Sequence, residues 1–293
     1  MIRVLAPAKV NLGLEVLGKR TDGYHEIRTI LCAVSVFDSL DLDVEADEPG
    51  AFHVDDARLR DGNLVEATLQ LIARRCPGLR LPAVELRKRI PTASGLGGAS
   101  SDAAAILAAL SYANPQVLDC RTVYEMASRL GSDVPFFLRA GMAVASGRGE
   151  SLRPLPFQRV DMVIVHPAIS ILDKTRTMYG RLGPDSWTDG SSVEASFASL
   201  QRCEPIDAHM PLLNAFTVPL YAMQPHLVEL AARIGQASEL PVQLSGAGPA
   251  HFVLCRDVEH RQWLRNRLRA LLPTGDVRVL GARSVPSILL QES

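Results

Sequence analysis

The stretch Pro91-Thr-Ala-Ser-Gly95-Leu-Gly97-Gly98-Ala-Ser100-Ser101-Asp102-Ala-Ala-Ala105 constrains this chain more than any other. Before it, apolar Val84, Leu86 and Ile90 alternate with Glu85, Arg87 and Arg89, which predicts a strand over 84–90 with one wet face. After it, an alanine-rich segment from about Ser101 to Tyr112 predicts a helix packed closely on a sheet, with Asp102 in its first turn. Glycines in such a joint let backbone N–H groups turn toward an anion, and the free N–H groups of the following helix add partial positive charge. Two readings stand at this level: a phosphate cradle, or a tight strand-to-helix turn without a ligand.

Better-known phosphate loops fit less well. A P-loop needs a lysine and a Ser/Thr after its last glycine, and here Gly98 is followed by Ala99, Ser100 and Ser101, so it is excluded. A dinucleotide fold finds an acid, Asp119, at roughly the expected ~20 residues downstream. The half-wet strand argues against it, because the first strand of a doubly wound sheet is buried on both faces.

The chain has 293 residues, enough for one large or two modest domains. Lys+Arg 31 against Asp+Glu 32 leaves a net charge of -1, so no basic surplus points to nucleic acid. Cys32, Cys76, Cys120, Cys203 and Cys255 are scattered without a CxxC pair, which fits a reducing compartment and offers neither a disulfide framework nor a zinc site. No run approaches the ~18 apolar residues of a membrane span, and Met1 to Lys9 lacks a long apolar core. The expectation is a cytoplasmic protein with neither a membrane nor a nucleic acid as partner.

Along the chain, Ile2 to Leu17 predicts one or two strands, Asp22-Gly23 a hairpin turn, and Ile27 to Val36 and Leu40 to Val44 further strands. Lys9 is either an exposed edge-strand lysine or part of a site; Tyr24-His25 is either strand packing or a grip for a flat heterocycle. Gly62-Asn63-Leu64-Val65 opens a helix to about Arg75, and Thr122-x-x-Glu125 reads as a capping box for a helix ending at Gly131. Asp133 then precedes a short helix with Pro135 in its first turn, as a cap or as chemistry. Gly141 to Gly149 predicts a strand pair, and Gly183 to Ser192 an exposed, mobile loop. Beyond Arg153-Pro154-Leu155-Pro156, strands at 162–165, 242–244, 252–254 and 277–280 and helices at 225–237 and 258–272 suggest a ferredoxin-like sandwich. The expected division is 1–155 and 156–293, with the last strand near 277–290 packing back on the first part.

A lysine near the start, a Gly-Leu-Gly-Gly-x-Ser-Ser loop and a late Ser245-Gly246-Ala247-Gly248 turn, in this order, resemble the GHMP kinase superfamily of galactokinase, homoserine kinase, mevalonate kinase and phosphomevalonate kinase. The resemblance spans nearly the whole chain. Pro7-Ala-Lys-Val-Asn-Leu12, Lys19-Arg-Thr-Asp-Gly-Tyr-His25 and Gly131-Ser-Asp-Val-Pro-Phe-Phe137 are similar to the branch that phosphorylates a cytidyl diphosphate methylerythritol. It implies an α+β, two-domain GHMP kinase fold, with a ribosomal-S5-like N-terminal and a ferredoxin-like C-terminal domain. It also implies ATP and Mg2+, with no metal ligand assigned beyond phosphates and water. Asp133 is implied as the base with Lys9 beside it, and Pro91, Gly95, Leu96, Gly97, Gly98, Ala99, Ser100 and Ser101 as the phosphate loop. Asn63 and Lys88 are implied near the adenosine, and Asn11, Tyr24, His25, Tyr179 and Gly246 on the acceptor side. Ala99 stands where many relatives carry another glycine. Other acceptors of the same fold, such as homoserine or mevalonate, and a non-catalytic sensor are the competing expectations.

Overall fold

A computed structural model describes residues 1–56, 59, 63–139, 141–207, 210, 212–273 and 275–292, the last by its backbone. The chain begins with a long antiparallel hairpin, β1 (Ile2–Lys19) and β2 (His25–Asp43), closed by the Asp22-Gly23 turn as its sequence predicts. The two strands expected over 27–44 are one. Between Pro7 and Ala8 the register jumps from Phe37 to Val34, so the irregularity is absorbed as a bulge and the backbone runs on. A bulge also re-aims side chains. Beyond it, Ala8, Val10 and Leu12 pack toward Ile164 and Phe252 of the second half, while Lys9 and Asn11 line a cleft.

β3 (Phe52–Val54), α1 (Leu64–Arg75), β4 (Ala83–Arg87), α2 (Gly98–Ala113), α3 (Cys120–Leu130), α4 (Val134–Arg139), β5 (Met142–Gly147) and β6 (Ser151–Pro154) follow. Asn63 caps α1 by accepting from Val65 N; the expected helix start at Gly62 lies outside the described residues. β4 keeps its wet face, with Val84 and Leu86 buried and Glu85 and Arg87 exposed. α2 starts three residues earlier than predicted, at Gly98, so Asp102 sits beyond the first turn and is buried. Ala103, Ala104 and Ala105 are fully buried and let α2 lie close against β1; neighbouring Ile106 and Leu107, also fully buried, contribute roughly 1.5–3 kcal/mol each. The cap of α3 is Asp119, which accepts from Thr122 N at 2.8 Å, and not the expected Thr122 box. Asp119 is thereby accounted for without a ribose.

The second half contains β7 (Asp161–Pro167), α5 (Lys174–Tyr179), α6 (Ser191–Gln201), α7 (Thr217–Met223), α8 (His226–Ser238), β8 (Gln243–Leu244), β9 (His251–Cys255), α9 (Val258–Leu271), β10 (Val277–Arg283) and β11 (Leu289–Glu292). Among the described residues β7 to β10 form a four-stranded antiparallel sheet in the order β10-β7-β9-β8, the ferredoxin-like arrangement. The strand from 277 stays in that sheet, and the separate β11 pairs with Ile2 to Leu5 of β1 in the other, seven-stranded sheet. The expected 183–192 loop is more ordered than its polarity suggests. It makes a 3-10 turn at Pro184–Ser186, Thr188 N donates to Val16 O, and α6 already begins at Ser191. The mixed helices and sheets are the expected α+β fold.

Candidate active site: a cleft between glycine loop and hairpin

A cleft of about 1200 Å³ collects residues from the β1–β2 hairpin, the segment 88–100, Ser132-Asp133, α5 and the turn after β8. The start of α2 forms one wall. Its cap, Gly97, has φ 73° and no side chain with which to satisfy the first N–H groups, so these remain available to a ligand. A Cβ on Gly97 would meet Lys9 Cγ at 3.0 Å. At Gly95, φ is +87° and a Cβ would stand 2.3 Å from Ser245 O. Only glycine allows the loop to lie on the 245–250 turn, where Ser245 Oγ donates to Gly95 O and Ala250 N to Ser94 O. Lys9 N donates to Leu96 O at 2.9 Å and ties the same loop to β1.

The candidate catalytic pair meets here. Lys9 is buried, donates to Asn11 Oδ1 at 2.6 Å and lies 3.8 Å from Asp133 Oδ2. Asn11 is oriented in turn by its donation to Thr29 Oγ1, and Thr29 donates to Gly13 O. Burial lowers the Lys9 ammonium below the ordinary lysine range, and Asp133 opposes that shift. Asp133 keeps about a third of its side chain open to the cleft. A carboxylate facing a cavity beside a buried cation is suited to accept a proton from a bound alcohol.

The rings of His25 and Tyr179, which also line the cleft, lie 5.0 Å apart at 30°, and Tyr179 sits edge-on to Phe216 at 4.9 Å. Burial, and then Asp133, raises the Tyr179 phenol. Burial, and then Lys19, lowers His25, which favours its neutral ring. Tyr24 is 55% exposed, with the Arg148 guanidinium 4.8 Å over its ring. Together these give the cleft an aromatic wall.

Lys88 differs most from expectation. Its ammonium turns onto two buried carboxylates, Asp38 Oδ2 at 2.5 Å and Asp102 Oδ2 at 2.6 Å. Burial depresses Lys88, but Asp102 and Asp38 outweigh it and its pKa ends raised. Two carboxylates share one ammonium: burial lifts Asp102 to about 8, Lys88 opposing and Asp38 adding. Asp38 Oδ1 also accepts from Arg89 N and Ile90 N, which fixes the entry to the glycine loop. Lys88 lines the cleft but is chiefly the strut of that loop. Asn63, Pro91, Gly95, Gly97, Gly98, Ala99, Ser100 and Gly246 also line the cleft. Leu96 and Ser101 do not: both are fully buried, and Ser101 Oγ has no hydrogen-bond partner.

Lys174 was not anticipated. It lines the cleft and donates to Gly248 O at 2.5 Å. Asp38 was missed as well; in sequence it is one of three acids, with Asp41 and Asp43, near the end of a largely apolar strand.

The profile of the GHMP kinases N terminal domain matches residues 63–141. The chain is 37% identical over 88% of its length to the 4-diphosphocytidyl-2-C-methyl-D-erythritol kinase of Dehalococcoides mccartyi (strain CBDB1), covering 90% of that protein. It is 36% identical over 91% of its length to the enzyme of the same name from Thermus thermophilus, covering 92% of it. A crystal structure of 4-(cytidine 5'-diphospho)-2C-methyl-D-erythritol kinase superposes with a TM-score of 0.78 at 34% identity, over 97% of this chain and 99% of that one. Homoserine kinase from Cytophaga hutchinsonii, at 17% identity, TM-score 0.69 and coverage of 99% and 97%, shares the fold.

Proposed function

Because this chain belongs to the 4-diphosphocytidyl-2-C-methyl-D-erythritol kinase family, we propose that it transfers the γ-phosphoryl group of ATP to the 2-hydroxyl of that cytidyl diphosphate alcohol. This is a step of the non-mevalonate route to isoprenoid precursors. The observation that carries the reading is that one cleft holds both an aromatic wall, His25 with Tyr179, and the pair Lys9 and Asp133. A homoserine or mevalonate acceptor has no base to meet that wall. A sensor would have no use for a carboxylate held beside a buried ammonium and open to the cleft.

In this reading the acceptor oxygen attacks the γ-phosphorus, the bond to the ADP oxygen breaks, and the hydroxyl proton passes to Asp133. General base assistance of this kind contributes ~10²–10⁴-fold. Lys9 stabilises charge on the phosphoryl oxygens, and Asn11 holds Lys9 and touches the methylerythritol end. The N–H groups at the start of α2 and the loop 91–101 hold the triphosphate, so positioning supplies much of the catalysis. Asn63, and the wall near Lys88, border the adenosine; His25 reads the cytosine between Tyr24 and Tyr179, and Gly246 leaves room for the acceptor.

Among the described residues no cluster of three or more His, Cys, Asp or Glu side chains could hold a metal. With Ser101 buried away from the cleft and Asp102 shared with Lys88, the residues present fit Mg2+ carried mainly by the phosphates and water. Bound there, the ion would neutralise phosphate charge. No helix among the described residues is long and apolar enough to cross a membrane; the five free cysteines support a cytoplasmic setting. The change of sheet between β6 and β7 supports a domain boundary at Leu155/Pro156. ADP release measured over a panel of acceptors tests the activity. The reading fails if the cytidyl substrate binds without being phosphorylated, or if homoserine or mevalonate is strongly preferred.

A further inference from the structure

Lys174 opens α5, and Tyr179 ends it. Its ammonium lies in the same cleft as Lys9 and Asp133, and rests on a neutral partner, Gly248 O. Among the described residues no carboxylate makes an ion pair with it; adjacent Asp173 turns to Arg176 at 3.7 Å. The charged and titratable groups that face it come from several elements: Lys9 from β1, Asp133 from ahead of α4, and His166 from β7. Burial, Lys9 adding and Asp133 opposing, brings Lys174 down to about 7. His166 is held at about 4 by burial and then by Arg278 and Lys174, so it brings no compensating charge. Two ammonium groups thus face one carboxylate, and the missing partner is an anion.

The position along α5 narrows which anion. Five residues at ~1.5 Å rise separate Lys174 from Tyr179, roughly 7 Å along the helix. Tyr179 lines the cleft with His25, where the proposed acceptor's base would lie, and Lys9 with Asp133 lines it where the acceptor's hydroxyl would lie. Lys174 thus shares a helix with Tyr179 and lies within electrostatic range of Lys9 and Asp133, its ammonium resting on Gly248 O beside Gly95. We propose that Lys174 binds the diphosphate that joins the cytidine to the alcohol of the acceptor, and so selects a diphosphate-linked alcohol over a free polyol. On substrate entry its ammonium exchanges Gly248 O for phosphoryl oxygens. This assignment rests on the acceptor proposed above.

The test compares the wild type with Lys174→Met and Lys174→Arg, using CDP and cytidine as competitive inhibitors against the acceptor. A hydrogen bond to a charged group lost in Lys174→Met should raise the inhibition constant of CDP about 10- to 100-fold while leaving that of cytidine and the KM for ATP within about twofold. Lys174→Arg, which keeps the charge, should retain most of the CDP affinity. The acceptor's diphosphate does not titrate near neutrality, so its KM should rise with pH above about 7 in the wild type and stay flat in Lys174→Met. Equal loss of CDP and cytidine affinity would mean that Lys174 only props α5, and a fall in kcat with unchanged CDP binding would assign it to the donor; either overturns the proposal. A wild type that binds neither CDP nor cytidine sinks the acceptor reading itself, whereas normal binding of both in wild type and Lys174→Met alike sinks only Lys174.

Discussion

Lys9 Nζ lies 2.6 Å from Asn11 Oδ1 but 3.8 Å from Asp133 Oδ2. The amide, rather than the carboxylate, holds the ammonium in place, so Asp133 has a cation beside it without spending its lone pairs on a tight ion pair. Those lone pairs face the cleft, where an alcohol proton can reach them. The network Lys9, Asn11, Thr29 and Gly13 O is buried and fully hydrogen-bonded along its length, which gives the pair a fixed geometry.

Asp133→Asn removes the proposed proton acceptor and keeps the shape. Turnover should fall at least ~100-fold, the lower end of general base assistance, with ATP affinity nearly intact. Single-turnover ADP release and a nucleotide titration check it. Unchanged turnover would remove Asp133 from the chemistry.

Lys88→Met leaves Asp38 and Asp102 buried with no cation. Their side chains are 0% and 2% exposed, so the broken pair should cost about 3–5 kcal/mol in urea denaturation. A loss below about 1 kcal/mol would show that the triad contributes little to the fold.

The same triad sets a pH dependence. Asp102 is raised to about 8 in the fold from an ordinary 3.8, so between those values the native state holds a proton that the unfolded chain has shed. Its contribution to stability is complete below about pH 4 and is lost as pH rises through about 8. Asp102→Asn stays neutral throughout. Denaturation at about pH 6 and about pH 9 should therefore show the wild type losing stability relative to Asp102→Asn, and parallel curves would refute the shared proton.

Gly95→Ala places a Cβ 2.3 Å from Ser245 O in a backbone at φ +87°. Both loops must part. A stability loss of more than ~2 kcal/mol is expected, together with weaker ATP binding, because the loop and the 245–250 turn hold each other. Calorimetric melting and nucleotide titration measure the two effects, and a variant with native melting and native affinity would contradict the contact.

Much of this was legible in residues whose meaning is local. The glycine loop, the hairpin turn and the ferredoxin-like second sheet follow from periodicity and turn chemistry, and Lys9, Asp133 and Tyr24-His25 stand out by motif. What could not be read depends on partners far along the chain. Lys174 takes its position from Gly248, 74 residues on, and nothing in its own segment marks it. Lys88 looks like a wet-face lysine until Asp38, 50 residues earlier, and Asp102 are placed around it. α6 was hidden because its serines and alanines dilute the apolar spacing of Val193, Phe197 and Leu200, which is clear only once those side chains pack.

The contact between Gly95 and the 245–250 turn also governs how the cleft can breathe. Ser94, Gly95 and Leu96 are tied to Ala250, Ser245 and Lys9 by hydrogen bonds worth roughly 0.5–1.5 kcal/mol each, and these act together. Parting the glycine loop from the turn and β1 would break all three, whereas on the hairpin the cleft is bordered by the exposed Tyr24 and the turn before it. The glycine loop is therefore the pinned side of the cleft, and the hairpin tip its exposed border.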